Sequence, residues 1–178
     1  KNLKKNFIGI MPMAGEGLRF KKHGHVLPKP FIKINKVPMF LRAAKSFPSN
    51  LRWVFVTNSS VRSKHNVIKI LKIKKKKNLL YLQKKTQGQA STVYKSLKYI
   101  NKTKIIIVHS CDLSFKINFN FFKQKINEND LLVFTAKGTS YQLNNHKQFS
   151  WVRKNFNSYE ISIKKNFRYK KNVKVLIG

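Results

Sequence analysis

Acidic side chains are nearly missing from this chain. Five Asp plus Glu stand against 39 Lys plus Arg among 178 residues, a formal net charge of +34. Each surviving acid is therefore informative: Glu16, Asp112, Glu128, Asp130 and Glu160. The excess of cations favours polyanions such as nucleic acid, anionic membrane or phosphorylated substrates. A plainer source is compositional drift. Lys, Asn, Ile and Phe dominate, the residues of AT-rich codons, and only Lys74-Lys75-Lys76-Lys77 forms a run. Drift is the preferred reading, so nonspecific polyanion attraction is expected and no specific nucleic-acid partner. Cysteine is almost absent too. The single Cys111 excludes an intramolecular disulfide and a Cys-rich zinc site. At the end of an apolar strand it reads as a buried, inert thiol. No apolar run is long enough to span a bilayer. The basic N-terminal stretch has a short apolar run that enters a glycine loop, unlike a signal peptide. A cytoplasmic protein without membrane insertion is expected. There is no internal repeat and no long low-complexity linker.

What is present is a chain able to fold. A hydrophobic share of 42% with many aromatics argues against disorder, and the length suits one domain with a real core. Apolar runs alternate with helical periodicity. Strands are predicted at Phe7–Met11, Arg52–Thr57, Leu79–Gln83, Ile105–Val108 and Leu131–Thr135. Helices are predicted at Met39–Phe47, Val61–Ile73 and Gln89–Ile100, the last with Ala90, Val93, Tyr94, Leu97 and Ile100 on its apolar face. The run Ile105–Val108 reads as a parallel strand covered on both faces. Strands alternating with helices predict an α/β domain with a mostly parallel sheet. From Ser150 the pattern changes to short strands without helices, at Ser150–Val152, Tyr159–Ile163 and Val173–Ile177.

The densest signal is Phe7 to Pro30, FIGIMPMAGEGLRFKKHGHVLPKP. An apolar strand enters a loop carrying Gly15 and Gly17, Arg19 follows, and Pro28-Lys29-Pro30 closes the segment. Glycines let the backbone turn tightly and bring its N–H groups to a ligand, and Arg19 and Lys29 add fixed cations. Such a loop suits a nucleoside triphosphate. It is not a dinucleotide fingerprint, which would want Gly where Phe20 stands, and the lysine and Ser/Thr of a P-loop are absent. In open α/β sheets ligands bind at the carboxyl ends of strands. Gly15 to Arg19, Gln83 with Gly88, and Asp112 all fall at such ends.

These residues resemble those of the sugar-nucleotide pyrophosphorylases, or nucleotidyltransferases. Within that family PMAGEGLRF followed by PKPFIKINKVPMF is similar to the branch that makes capsule and surface-polysaccharide precursors. The resemblance implies the Rossmann-like, GT-A-like fold of nucleotide-diphospho-sugar transferases, with a mostly parallel central sheet and a smaller β-rich C-terminal portion. Residues 1–149 would form the nucleotide-binding part and 150–178 the start of the sugar-binding part. The chain stops inside an apolar run, VLI, so a shortened domain is expected. The resemblance also assigns roles. Met13, Ala14, Gly15, Glu16 and Gly17 would wrap the nucleotide. Arg19 would neutralise the β- and γ-phosphates, and Lys29 the α-phosphate or the incoming phosphate. Gln83 and Gly88 would meet the base, Asp112 would hold Mg²⁺, and Lys165 would meet the sugar phosphate.

The implied reaction joins a nucleoside triphosphate to a sugar 1-phosphate, giving an NDP-sugar and pyrophosphate. A phosphate oxygen attacks the α-phosphorus. That nucleophile is already largely ionised, its second pKa being about 6, so no general base is needed. The work is to position two anions and stabilise the leaving group, which Mg²⁺, Arg and Lys can do. The lack of a His/Asp/Ser constellation fits this chemistry. Plainer readings stand beside these roles. The glycines could form an ordinary strand-to-helix turn, and Asp112 could cap a helix or a turn. Glu16 could be a solvated loop residue, His23 and His25 read as loop rather than metal ligands, and Gln83 could simply end a strand. No acid follows Glu160, where the family has a second metal carboxylate, and the Glu of its Glu-Lys pair is missing beside Lys164-Lys165. A degenerate nucleotide- or polyanion-binding module is thus an alternative. A glycosyltransferase of the related fold is another, although Asp112-Leu113-Ser114 lacks the second Asp of an Asp-x-Asp motif.

Overall fold

The computed structural model describes residues 7–15, 17, 20, 23–58, 79–100, 105–129, 131–156, 158–163 and 173–177. The helix expected at Val61–Ile73 lies outside them. The chain divides into two compact units, Lys1–Phe119 and Asn120–Gly178.

The first unit is built on a four-stranded parallel sheet in the order β5-β4-β1-β6. Its strands are β1 (Phe7–Pro12), β4 (Trp53–Asn58), β5 (Leu79–Leu82) and β6 (Ile105–Val108). Every residue of β1 is buried, as the uninterrupted apolar run requires of a central parallel strand. One face packs Ile8, Ile10, Val54, Val56, Leu82 and Ile100 into a core cluster. Helix α2 (Gln89–Leu97) covers it with Val93 and Leu97. The other face is aromatic. Phe40 meets Phe31 and Phe55 edge-on, and Phe47 meets Trp53, Phe115 and Phe119 likewise. Gly9 passes beneath the Trp53 ring, where a Cβ would lie 2.6 Å from Cζ3.

A small hairpin, β2 (Lys33–Ile34) with β3 (Val37–Pro38), turns through Asn35 and Lys36, both at positive φ. Two such residues are what a type I′ turn demands. Helix α1 (Met39–Ala44) follows. It is shorter than the expected Met39–Phe47. Ser46 N–H and Phe47 N–H donate to the Ala43 and Ala44 carbonyls three residues back, so the end tightens just before Pro48.

Two expectations need correction here. Strand β6 is an edge of the described sheet, with Ile106 36% and Val108 38% exposed, so it is not covered on both faces. On α2, Tyr94 points to solvent, while Thr92 and Ser96 are buried. Their hydroxyls donate to the Gly88 and Val93 carbonyls, so small polar residues fill the tight seam without an unpaired group.

The second unit holds an antiparallel sheet in the order β7-β10-β8-β9. These are β7 (Phe134–Ala136), β8 (Ser150–Lys154), β9 (Tyr159–Ile163) and β10 (Val173–Ile177). The sequence predicts a strand over Leu131–Thr135, beside a mostly parallel sheet. Strand β7 begins only at Phe134 and pairs antiparallel with β10, and Leu131 is exposed. A short apolar run does not encode which sheet receives it. Trp151 and Val175 form the core, with Ala136, Phe149 and Val173 against them. The Trp151 indole N–H donates to the His146 carbonyl at 3.0 Å. Helix α3 (Phe119–Asn127) stacks Phe122 on Phe134, and α4 (Ser140–Asn144) begins at a Thr139/Gln142 capping box. Among the described residues no helix is long and apolar enough to cross a membrane.

Candidate functional site

The carboxyl ends of β1 and β6 bring the expected residues together within the first unit. Beyond β1, the Met13 N–H donates to the Val56 carbonyl at 2.7 Å, which carries the chain on along β4. The Asn58 side-chain amide donates to the Ala14 carbonyl at 3.2 Å. Met13 and Ala14 are buried, and the chain reaches solvent at Gly15, whose Cβ position meets nothing within 4 Å. Gly17 has φ +61°, and a Cβ there would lie 3.2 Å from Lys29 Cβ. Only glycine fits that loop comfortably, because it combines a left-handed backbone with close passage over Lys29. The glycine loop and the Pro-Lys-Pro element are thus one structure.

Lys29 opens a single helical turn, Lys29–Phe31, fixed by the Phe31 N–H on the Pro28 carbonyl at 2.9 Å. Its Nζ forms an ion pair with Asp112 and lies 5.4 Å from the centroid of the Phe20 ring. Both partners keep part of their surface open, 23% for Lys29 and 35% for Asp112. The Ser110 hydroxyl donates to the other Asp112 oxygen. Burial pushes the Asp112 carboxyl up. The hydrogen bonds from Lys29 and Ser110, with the Lys29 charge, outweigh it and hold the carboxyl below its ordinary value. Asp112 is therefore a carboxylate at neutral pH. Cys111 beside it is buried, and desolvation pushes its thiol up to about 12. It is an inert thiol, as the sequence indicated.

The turn bearing Asp112 is anchored from below. His109 is 1% exposed and boxed by the Phe47, Trp53 and Phe115 rings. Its Nε2 lies 3.0 Å from the Leu113 carbonyl. Burial lowers its pKa against this bond, so the imidazole is neutral at pH 7. Further along, the Phe115 N–H donates to the Ser46 hydroxyl at 2.9 Å.

Gln83 and Gly88 occupy the carboxyl end of the same sheet but stand apart from this cluster. Gln83 follows β5, and β4 separates β5 from β1. Strand β5 thus lies two strand spacings, about 10 Å, from β1. Gln83 and Gly88 are both exposed. Glu16, Arg19 and Lys165 lie outside the described residues. Among the described residues no three His, Cys, Asp or Glu gather as a metal cage. The three described acids are each ion-paired, Asp112 with Lys29, Glu128 with Lys125 and Glu160 with Arg153. Sequence reasoning missed Asn58, His109 and Ser110. The one signal they gave was being polar at the carboxyl ends of apolar strands.

No protein-family model matches the chain. A curated relative, 2-C-methyl-D-erythritol 4-phosphate cytidylyltransferase of Bacillus cytotoxicus, is 29% identical over 134 residues, covering 74% of this chain and 54% of the relative. The chain thus spans about half the length of that protein. Among solved structures, a protein assigned as a glucose-1-phosphate thymidylyltransferase from Bacillus anthracis superposes with a TM-score of 0.75 at 15% identity, covering 97% of this chain and 69% of that one. The inositol-1-phosphate CTP transferase from T. maritima gives 0.68 at 18% identity, covering 95% and 69%. These likenesses show the fold: the α/β architecture of nucleotidyltransferases, as the sequence resemblance implied. The sequence relative carries a nucleotidyltransferase name as well.

Proposed function

We propose that this chain carries the nucleotide-binding part of a metal-dependent nucleotidyltransferase. Its substrates would be a nucleoside triphosphate and a sugar 1-phosphate or similar phosphorylated headgroup. The observation that carries the reading is the junction of three separate sequence elements, the glycine loop, Lys29 and Asp112, at one carboxyl edge of a parallel sheet. The capsule-like pattern PMAGEGLRF with PKPFIKINKVPMF supports a cytoplasmic enzyme supplying surface-polysaccharide precursors.

The donors fit Mg²⁺ of one kind only. Among the described residues, one open carboxylate without a three-ligand cage suits a cation that arrives on substrate phosphates, as Mg²⁺ usually does. Asp112 would hold it, and the ion would neutralise charge on the phosphates. In the free chain Lys29 occupies Asp112, so binding requires an exchange of partners. Lys29 would then hold a phosphate oxygen, and Asp112 would hold the metal. Backbone N–H groups of the glycine loop supply the remaining donors to phosphate. Attack by an ionised phosphate oxygen on the α-phosphorus then needs no protein base.

The direct test is pyrophosphate release from a panel of nucleoside triphosphates and sugar 1-phosphates, with and without Mg²⁺. One pair should react only with Mg²⁺. Saturable triphosphate binding without any release would reduce the chain to a binding module. Arg19→Ala should weaken triphosphate binding about 10- to 100-fold, because charge-assisted bonds to phosphate are lost. Nucleoside binding should be nearly unchanged. Equal losses for both ligands would take Arg19 away from the phosphates.

Charge gives a separate expectation. Duplex and single-stranded nucleic acid should bind without sequence preference and dissociate as salt rises to physiological levels, because that affinity is counterion release. Triphosphate binding should lose much less. Sequence-selective binding that survives physiological salt, with no triphosphate site, would make the basic surface the function instead.

A further inference from the structure

We infer that His109 is a positioning residue for Asp112. The inference rests on the nucleotidyltransferase reading and adds a residue that touches neither substrate nor metal. The turn Ser110–Leu113 carries the site's one described carboxylate. It leaves β6 at the sheet edge, where no further described strand supports it. His109 supplies the support. Its backbone N–H donates to the Ile10 carbonyl of β1 at 3.1 Å. Its ring reaches Leu113, just beyond Asp112, with Nε2 3.0 Å from that carbonyl. Three aromatic rings close around it, with centroids 5.2 Å away for Phe47 and Phe115 and 6.2 Å for Trp53. One residue thus ties β1, through its backbone, to the far end of the Asp112 turn, through its ring.

The chemistry of the ring sharpens this. A neutral imidazole carries one N–H and can donate to one carbonyl only. Support of the Asp112 turn requires the proton on Nε2, facing Leu113. A buried histidine that merely fills the aromatic box has no such requirement and could carry its proton on Nδ1. Two amide substitutions separate these roles. A glutamine side chain in place of His109 carries its amide to the Nε2 position, and an asparagine carries its amide to the Nδ1 position. So His109→Gln keeps the Leu113 bond and His109→Asn does not.

The experiment has two readouts. Nitrogen-15 NMR of wild-type protein identifies the His109 tautomer, and the Nε2–H form is expected. The Nδ1–H form overturns the inference without any variant. Calorimetric titration then compares triphosphate binding with and without Mg²⁺. In His109→Gln the gain in affinity from Mg²⁺ should stay near wild type. In His109→Asn it should fall about tenfold, the usual scale for losing a group that orients a metal ligand. Metal-free binding should be alike in both. Equal Mg²⁺ gains in the two variants overturn the inference. A wild type that binds no triphosphate overturns the nucleotidyltransferase reading instead, and the tautomer then decides the anchoring alone.

Discussion

Asp112→Asn should abolish Mg²⁺-dependent turnover, or Mg²⁺-dependent triphosphate binding if the chain only binds. The substitution is nearly isosteric and removes the charge a hard cation needs. The loss expected is on the order of a hundredfold or more, since a catalytic metal stabilises transition-state charge by several kcal/mol. The same variant should bind metal-free triphosphate more tightly than wild type. Lys29 is engaged by Asp112 in the free chain and becomes available once the carboxylate is gone. Simple relief of repulsion between Asp112 and the phosphates would have the same sign, so a double-mutant cycle is needed. With Lys29→Met in the background, the gain should vanish. A gain that persists would mean Asp112 acts by repulsion alone. The melting temperature should move little, because a partly exposed ion pair contributes about 0–1 kcal/mol. Unchanged metal dependence in Asp112→Asn would sink the assignment.

Gly9→Ala should lower stability sharply although it adds one methyl far from solvent. That methyl would sit 2.6 Å from Trp53 Cζ3 and 2.7 Å from Cδ2. The ring has little room to give, being 7% exposed and packed by Phe47, Phe55 and His109. Strand β1 cannot retreat either, since Gly9 is in register with Trp53 on one side and Ile107 on the other. Overpacking of this kind costs about 1–3 kcal/mol. For a chain of this size that is a fall of roughly 3–10 °C in Tm. Gly15→Ala is the control, with nothing near its Cβ, and should leave Tm unchanged. Thermal unfolding followed by circular dichroism separates the two. Equal melting of Gly9→Ala and wild type would mean the Trp53 ring is not fixed over β1.

The parts of the site that could be read directly were those held by local rules. A buried strand announces itself by a continuous apolar run, and Gly15, Gly17, Pro28 and Pro30 mark where the backbone must turn. Asp112 stood out because acids are so rare and because it follows Ile105–Val108. What escaped depends on partners distant in sequence. His109 is one polar residue whose meaning comes from the Leu113 carbonyl and three aromatic rings, two of them on Phe47 and Trp53. Tyr94 sits at helical spacing with Val93 and Leu97, yet Thr92 and Ser96 are the residues that fit the narrow seam against the sheet. The apolar run at Leu131–Thr135 says strand without saying which strand will pair with it. The edge position of β6 is likewise a matter of topology and leaves no mark on four consecutive β-branched residues.

The order β5-β4-β1-β6 also governs how the first unit can be made. Its central strand, β1, comes early in the chain, but its second neighbour is Ile105–Val108. At a synthesis rate of about 5–20 residues per second, β1 must wait roughly 5–20 s for that partner. Meanwhile its apolar run has an open flank, the hazard of slow, non-local parallel pairing. Nascent chains arrested before Ile105 should stay open to protease within Phe7–Pro12, and longer ones should be protected; equal cleavage would place β1 pairing elsewhere in time. Through that interval the excess of Lys and Arg would set neighbouring nascent chains against one another by like-charge repulsion, and so would protect the strand on which the nucleotide loop is built.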